Sequence, residues 1–185
     1  MRGSPVYLAP KELEAQCRFE RGRRSGPGGQ NRNKVETAVR FYHEPTGLVG
    51  QASERRSQSE NRAVALARLR LEIALNVRDI PEVADGDDRR ESGEVVLAPE
   101  VARDFRWFAR LVGGKLSVSS SHFDYPILVS EFFDVYALVG EDLPLAAKAL
   151  GTTSSQIVRL LSEEPKALEK LNGSRAARGL GRLKP

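Results

Sequence analysis

Cysteine is nearly missing: Cys17 is the only one in 185 residues. A single thiol closes no internal disulfide, and one thiol with two histidines cannot assemble the usual structural zinc sites. No metal and no other cofactor is expected. Aromatic residues are scarce, at 6%, and Trp107 is the only tryptophan; beside Phe105 and Phe108 it is expected in a core rather than stacked on a base. Long apolar runs are lacking too. The opening MRGSPVYLAP is neither a secretory signal nor a membrane span, so no membrane partner is expected and the cytoplasm is the default location.

What is present suits a folded protein: 40% of residues are hydrophobic and 29% charged, and the length allows one small domain plus a helical appendage. Charge is distributed unevenly. Residues 1–78 hold 15 Lys and Arg against 8 Asp and Glu, a net +7, whereas residues 79–185 hold 14 against 17, a net −3. The basic half is the one a nucleic-acid partner would meet.

The most distinctive stretch, SGPGGQNRNK, lies in that basic half. Gly28 and Gly29 open main-chain torsions closed to other residues, so peptide groups around Gln30 can approach a partner closely. Pro27 stiffens the approach. Cations flank the tip on both sides, with Arg21, Arg23 and Arg24 before it and Arg32 and Lys34 after it. Such a tip suits an anionic crevice.

Around it, local patterns predict a compact layer. Pro10 with KELEAQ reads as a short helix, and Cys17 to Arg24 alternates as a half-buried strand. Val35, Thr37, Val39 and Phe41 share a face at strand period. Glu44-Pro45-Thr46-Gly47 predicts a turn, and Leu48 to Glu54 the returning strand. His43, with no acid–base partner nearby in sequence, is expected to be structural. Ser57 and Glu60 fit a capping box ahead of a helix over 59–77, whose stripe Ala63, Leu66, Leu69, Ile73 and Val77 should lie on the sheet.

The rest reads as mostly helical. Residues 79–97 are acidic and predict a linker. Val101, Phe105, Phe108 and Val112 form one stripe, broken at Gly113-Gly114; Leu128, Phe132, Val135 and Val139 form another after Pro126. Residues 115–125 remain ambiguous, with Ser119-Ser120-Ser121 pointing to a loop. Leu143 to Leu161 has helix-turn-helix spacing, with Ala147 at the crossing, Gly151 in the turn and Ile157 and Leu160 as anchors. Its second helix would present only one cation, Arg159, too few for a sequence-specific DNA reader, so a helical packing unit is favoured. The end of the chain carries Arg175, Arg178, Arg182 and Lys184. If helical, the arginines would share a face, and the segment is expected to order against RNA phosphate.

Taken together, SGPGGQ, Asn33-Lys34, TAVR at Thr37 to Arg40, PTG at Pro45 to Gly47 and RSQ followed by Asn61 resemble, in order, the catalytic domain of class I peptide chain release factors. The resemblance covers roughly residues 15 to 78. It implies an α+β fold: a GGQ domain over 1–78 with a short sheet and one long packing helix, an acidic linker over 79–97, a helical domain over 98–172 and a basic tail over 173–185.

It also implies an activity, hydrolysis of the peptidyl-tRNA ester in the peptidyl-transferase centre. The partners would be peptidyl-tRNA and the large ribosomal subunit with its RNA, and the state a monomer. Gly28, Gly29 and Gln30 would be catalytic. Arg23, Arg24, Arg32, Lys34, Arg175, Arg178, Arg182 and Lys184 would meet RNA; Ser25, Pro27, Asn33, Ser57, Gln58 and Asn61 would support the loop and fold. Codon-reading domains of the usual factors are not found here, so the chain is similar to short release-factor-like rescue proteins. It departs from the family at Asn31-Arg32, where His-Val is more familiar, and in a tail sparse in cations. The alternative is a non-catalytic ribosome- or RNA-binding module.

Overall fold

The computed structural model describes residues 3–22, 37–82 and 96–185. The chain divides into two compact units, Ser4–Val77 and Arg78–Pro185, the latter with the first three residues. The architecture is α+β.

In the first unit, α1 (Pro10–Ala15) leads into a sheet of order β1-β2-β3, built from Cys17–Gly22, Ala38–His43 and Val49–Ala52. Both pairings are antiparallel; Phe19 faces Phe41, and Phe41 faces Gly50. Alternation works as expected, because Val39, Phe41 and His43 are buried on one face while Arg40 is exposed on the other. Gly47 ends the β2–β3 turn at φ 71°, a conformation that costs glycine nothing.

The long helix α2 (Gln58–Asn76) covers the buried face. It can do so because Gly50 has no side chain. A Cβ there would stand 2.2 Å from the carbonyl oxygen of Ala65 and 2.6 Å from the nitrogen of Leu69, so helix and strand meet backbone to backbone. The expected stripe needs two corrections. Ala63 is exposed and Ala65 is buried in its stead, and Val77 lies just past the helix end. The buried face is also wider than one stripe and takes in Arg70, whose Nη2 donates to the carbonyl of Val6 at 2.6 Å. The capping box does not form: Ser57 is the N-cap residue, but its hydroxyl meets Ser59 Oγ at 2.7 Å instead of a helix amide. A related contact occurs at α1, where Glu12 Oε2 accepts from the Ala9 N–H at 2.9 Å.

The second unit is built around α5 (Tyr125–Leu138), buried nearly all round. Before it come α3 (Pro99–Asp104) and α4 (Arg106–Arg110). The stripe expected across that segment as one helix is broken at Phe105, which takes extended torsions and is buried, and Val112 is 78% exposed. Gly113 and Gly114, at φ 55° and 74°, make the tight turn that pairs Val112 with Lys115 and carries Val112 off the core. Trp107 is fully buried and its indole N–H donates to the carbonyl of Leu150 at 2.9 Å. Glu131, buried within α5, receives the Arg106 and Trp107 N–H groups, each at 2.7 Å. An internal carboxylate thus caps α4.

The helix-turn-helix spacing is realised by α6 (Leu143–Ala149) and α7 (Ser154–Ser162). Gly151 at φ 66° ends α6, with its N–H on Lys148 and that of Thr152 on Ala147, the two bonds of a Schellman ending. Ala147, Ile157 and Leu160 are buried. Thr153 then caps α7, its hydroxyl accepting from the Gln156 N–H at 3.3 Å.

Candidate functional site

Gly22 and Ala38 are the last facing pair of the β1–β2 ladder, so the chain leaves and re-enters the sheet at neighbouring points. The sequence between them holds the Gly28-Gly29-Gln30 stretch. Arg23, Arg24, Ser25, Pro27, Gly28, Gly29, Gln30, Arg32, Asn33 and Lys34 all lie outside the described residues.

Just downstream, Asn61 fixes the return into β2. It is fully buried in the first turn of α2; its Nδ2 donates to the carbonyls of Thr37 at 2.7 Å and Arg55 at 3.1 Å, and its Oδ1 accepts from the Arg55 N–H at 2.9 Å. One carboxamide therefore ties the β2 entry to the corner before the helix through both of its N–H donors and its oxygen. Gln58, at the first helical position, is half-buried beside it in sequence.

Arginines dominate the surface at this end of the unit. Arg68 pairs with Glu54 at 2.7 Å and donates to the Gln51 carbonyl at 2.9 Å. Arg62 pairs with Glu14 at 2.5 Å and covers the rings of Phe19 and Phe41. Arg40 differs: its Nε and Nη2 both donate to Gln51 Oε1, at 3.2 and 2.9 Å, so a neutral amide orients it. Among the described residues, Arg21, Arg40, Arg55 and Arg56 have no carboxylate partner. Sequence reasoning did not single out Arg40, Gln51 or Gly50 as a set. The cross-strand register that pairs Arg40 with Gln51 was the available signal.

At the opposite end of the strands, His43 is fully buried, with Nε2 2.9 Å from Gln16 Oε1 and Nδ1 2.7 Å from Thr46 Oγ1. An amide oxygen can only accept, so Nε2 carries the proton and Nδ1 accepts from the hydroxyl. Burial pushes the imidazolium below its usual range. Burial, aided by Glu14 and Glu44, likewise pushes the Cys17 thiol up to about 11, which keeps it un-ionised and inert at neutral pH. Both residues tie structure together.

The C-terminal cations sit in a different setting. Arg175 lies in the last turn of α8 (Pro165–Ala177) and Arg178 caps it. Gly179 at φ 71° ends the helix in a second Schellman arrangement, with the Leu180 N–H on Arg175. The chain then folds back: Asn172 exchanges hydrogen bonds with the Leu183 carbonyl and N–H at 3.0 and 2.8 Å, and Arg182 pairs with Glu169 at 2.5 Å. Arg175 donates to the Gly181 carbonyl at 3.0 Å and Arg178 to that of Glu141. The expected helix with three arginines on one face does not form, because the left-handed glycine stops it; Lys184 is exposed.

Residues 8–97 match the family model described as the RF-1 domain. The chain thus carries a release-factor-type domain, built on the sheet and α2. The relatives agree. An uncharacterized peptide chain release factor-like protein of Saccharomyces cerevisiae, described as mitochondrial, is 44% identical over 72 residues, covering 38% of this chain and 46% of that protein. Peptide chain release factor 1 of Corynebacterium aurimucosum is 33% identical over 111 residues, 57% of this chain and 31% of the relative. The same factor of Acidiphilium cryptum is 32% identical over 140 residues, 75% of this chain and 40% of the relative. The match therefore spans less than half the length of each of these relatives. No solved structure matches the chain. Among the described residues, no helix is long and apolar enough to cross a membrane.

Proposed function

We propose that this chain releases nascent peptides by hydrolysing the peptidyl-tRNA ester within the peptidyl-transferase centre of the ribosome, without reading a codon. The observation that carries the reading is the Gly28-Gly29-Gln30 sequence inside an RF-1 domain, between strands that meet at Gly22 and Ala38 and next to a return held by buried Asn61. Gly28 and Gly29 permit the loop torsions. The Gln30 N–H donates to the oxyanion that develops on the ester or to the leaving 3′-hydroxyl, and its carboxamide positions the attacking water. A neutral amide suits this task because it orients water without attacking the ester.

Codon independence rests on the likeness to short release-factor-like rescue proteins. The activity and the partners, peptidyl-tRNA and the large subunit, rest on the release-factor family. The cytoplasm is the proposed compartment; the yeast relative's mitochondrial description makes an organellar ribosome the other one to assay.

The test measures peptide release from stalled ribosomes with empty, sense or stop-codon A sites, from isolated large subunits and from free peptidyl-tRNA. Wild type should release from ribosomal substrates whatever the codon, and Gly29→Ala should lower the rate by about a hundredfold or more. Equal release by both proteins overturns hydrolysis through this loop. Binding without release would leave a ribosome-binding module in its place, and release confined to stop codons would overturn codon independence.

A further inference from the structure

We infer that the solvent face of the sheet beside the Gly22–Ala38 pair holds a second RNA contact, a phosphate site centred on Arg40 and pre-set by Gln51. The concave space there, about 480 Å³, is bordered by Gly22, Ala38, Arg40, Gln51 and Arg68 and by two carboxylates, Glu20 and Glu54, each already paired with an arginine, Arg18 and Arg68. Arg40 stands on the middle strand, opposite Glu20 on one side and Gln51 on the other. Its choice of partner decides its chemistry. Glu20 pairs with Arg18 at 3.1 Å, while Arg40 puts Nε and Nη2 on the Gln51 amide oxygen.

The guanidinium is therefore fixed without being neutralised. Two of its five N–H groups are used and three remain for an incoming anion. A fork already held in place loses less freedom on binding than a mobile one. Gly22 and Ala38 add no bulk at the floor, whereas Arg21, opposite Val39, turns its guanidinium over the Phe19 ring on the other face and leaves Arg40 as the cation of this one. A guanidinium donates to carboxylate or phosphate oxygens alike. The surrounding sequence favours a polyanion, since residues 21–35 carry Arg21, Arg23, Arg24, Arg32 and Lys34 and no acidic residue. The repeated phosphates of RNA fit that run better than one acidic side chain.

This site rests on the reading of RNA as the partner but not on hydrolysis, so the test reads binding alone. The labelled full chain is titrated with isolated large ribosomal subunits at several salt concentrations. Arg40→Gln should weaken binding about tenfold and make the slope of log affinity against log salt shallower by roughly 0.7–0.9, the signature of one lost phosphate contact. Gln51→Glu removes no cation and keeps an oxygen on Arg40, yet cancels its charge; it should shift both quantities in the same direction. Lys115→Gln, which removes an exposed cation of the second unit that borders no part of this space, should change affinity less than about twofold.

Wild-type affinity and slope in both Arg40→Gln and Gln51→Glu would overturn the site, as would weaker binding with an unaltered slope. If Arg40→Gln proves unstable in thermal unfolding, Gln51→Glu decides the matter. Arg40-dependent binding to polyglutamate but not to subunits would assign the site to an acidic protein and overturn it as well. A wild type that binds with an Arg40-dependent slope but releases no peptide would sink hydrolysis and leave this site standing.

Discussion

The two units use buried polar side chains for opposite ends. In Ser4–Val77, Asn61 joins main-chain segments at the open end of the β1–β2 ladder, and the arginines around it face outward. In Arg78–Pro185 the polar side chains secure helices from within: Glu131 caps α4, and Asp134, fully buried, binds Arg78 at 3.1 Å and the Asp79 N–H at 3.1 Å. Three of the four cations expected to meet RNA near the C-terminus hold their own unit together. Arg182 meets a carboxylate, Glu169, while Arg175 and Arg178 are held on neutral main-chain carbonyls. In the first unit Arg21, Arg40, Arg55 and Arg56 likewise have no carboxylate partner among the described residues.

The sharpest way to break this contrast is to part helix from sheet in the first unit. Gly50→Val would drive a side chain into the Ala65 carbonyl and the Leu69 nitrogen, neither of which can yield without moving α2. The expected loss exceeds about 3 kcal/mol, read as collapse of amide protection in β2, β3 and α2 by hydrogen exchange. Retained protection there would show that the backbone-to-backbone contact is not what fixes the layer.

Next in size is Glu131→Ala. It strands two main-chain donors in the second unit and should cost about 2–3 kcal/mol, lowering the denaturation midpoint and the protection of α4. A midpoint within error of wild type would mean that α4 is not held by this carboxylate.

Asn61→Ala should cost about 2 kcal/mol and sharpens the comparison, because it is expected to slow peptide release beyond what its stability loss explains at permissive temperature. Release unchanged per folded molecule would confine Asn61 to a structural part.

The smallest effect is that of pH on His43. Its folded-state proton affinity is depressed by burial, so the unfolded chain binds the proton more readily and stability rises with pH. The loss should set in as pH falls through the free-histidine value of 6.5. An imidazole titration followed by NMR should show a midpoint below that value; one at or above it contradicts the neutral tautomer held by Gln16 and Thr46.

What could be read in advance were the features that act over a few residues. Strand alternation in β2, the turn at Gly47, the long α2 and the spacing of Ala147, Gly151, Ile157 and Leu160 follow from side-chain period and local torsion, which travel with the sequence. The Gly28-Gly29-Gln30 stretch and its neighbouring blocks were legible for the same reason, as contiguous residues. The errors fell where another group competed. Ser57 matched a capping pattern but met Ser59; Ala63 fitted the stripe, yet Ala65, whose carbonyl lies against Gly50, is the residue that faces inward. Tertiary structure alone settled that Arg40 binds an amide rather than the carboxylate across from it, that Asn61 reaches Thr37, and that the chain after Gly179 returns to Asn172. Each depends on groups 11 to 24 residues apart arriving within hydrogen-bond distance, and which of several available partners is met is decided by how the segments pack.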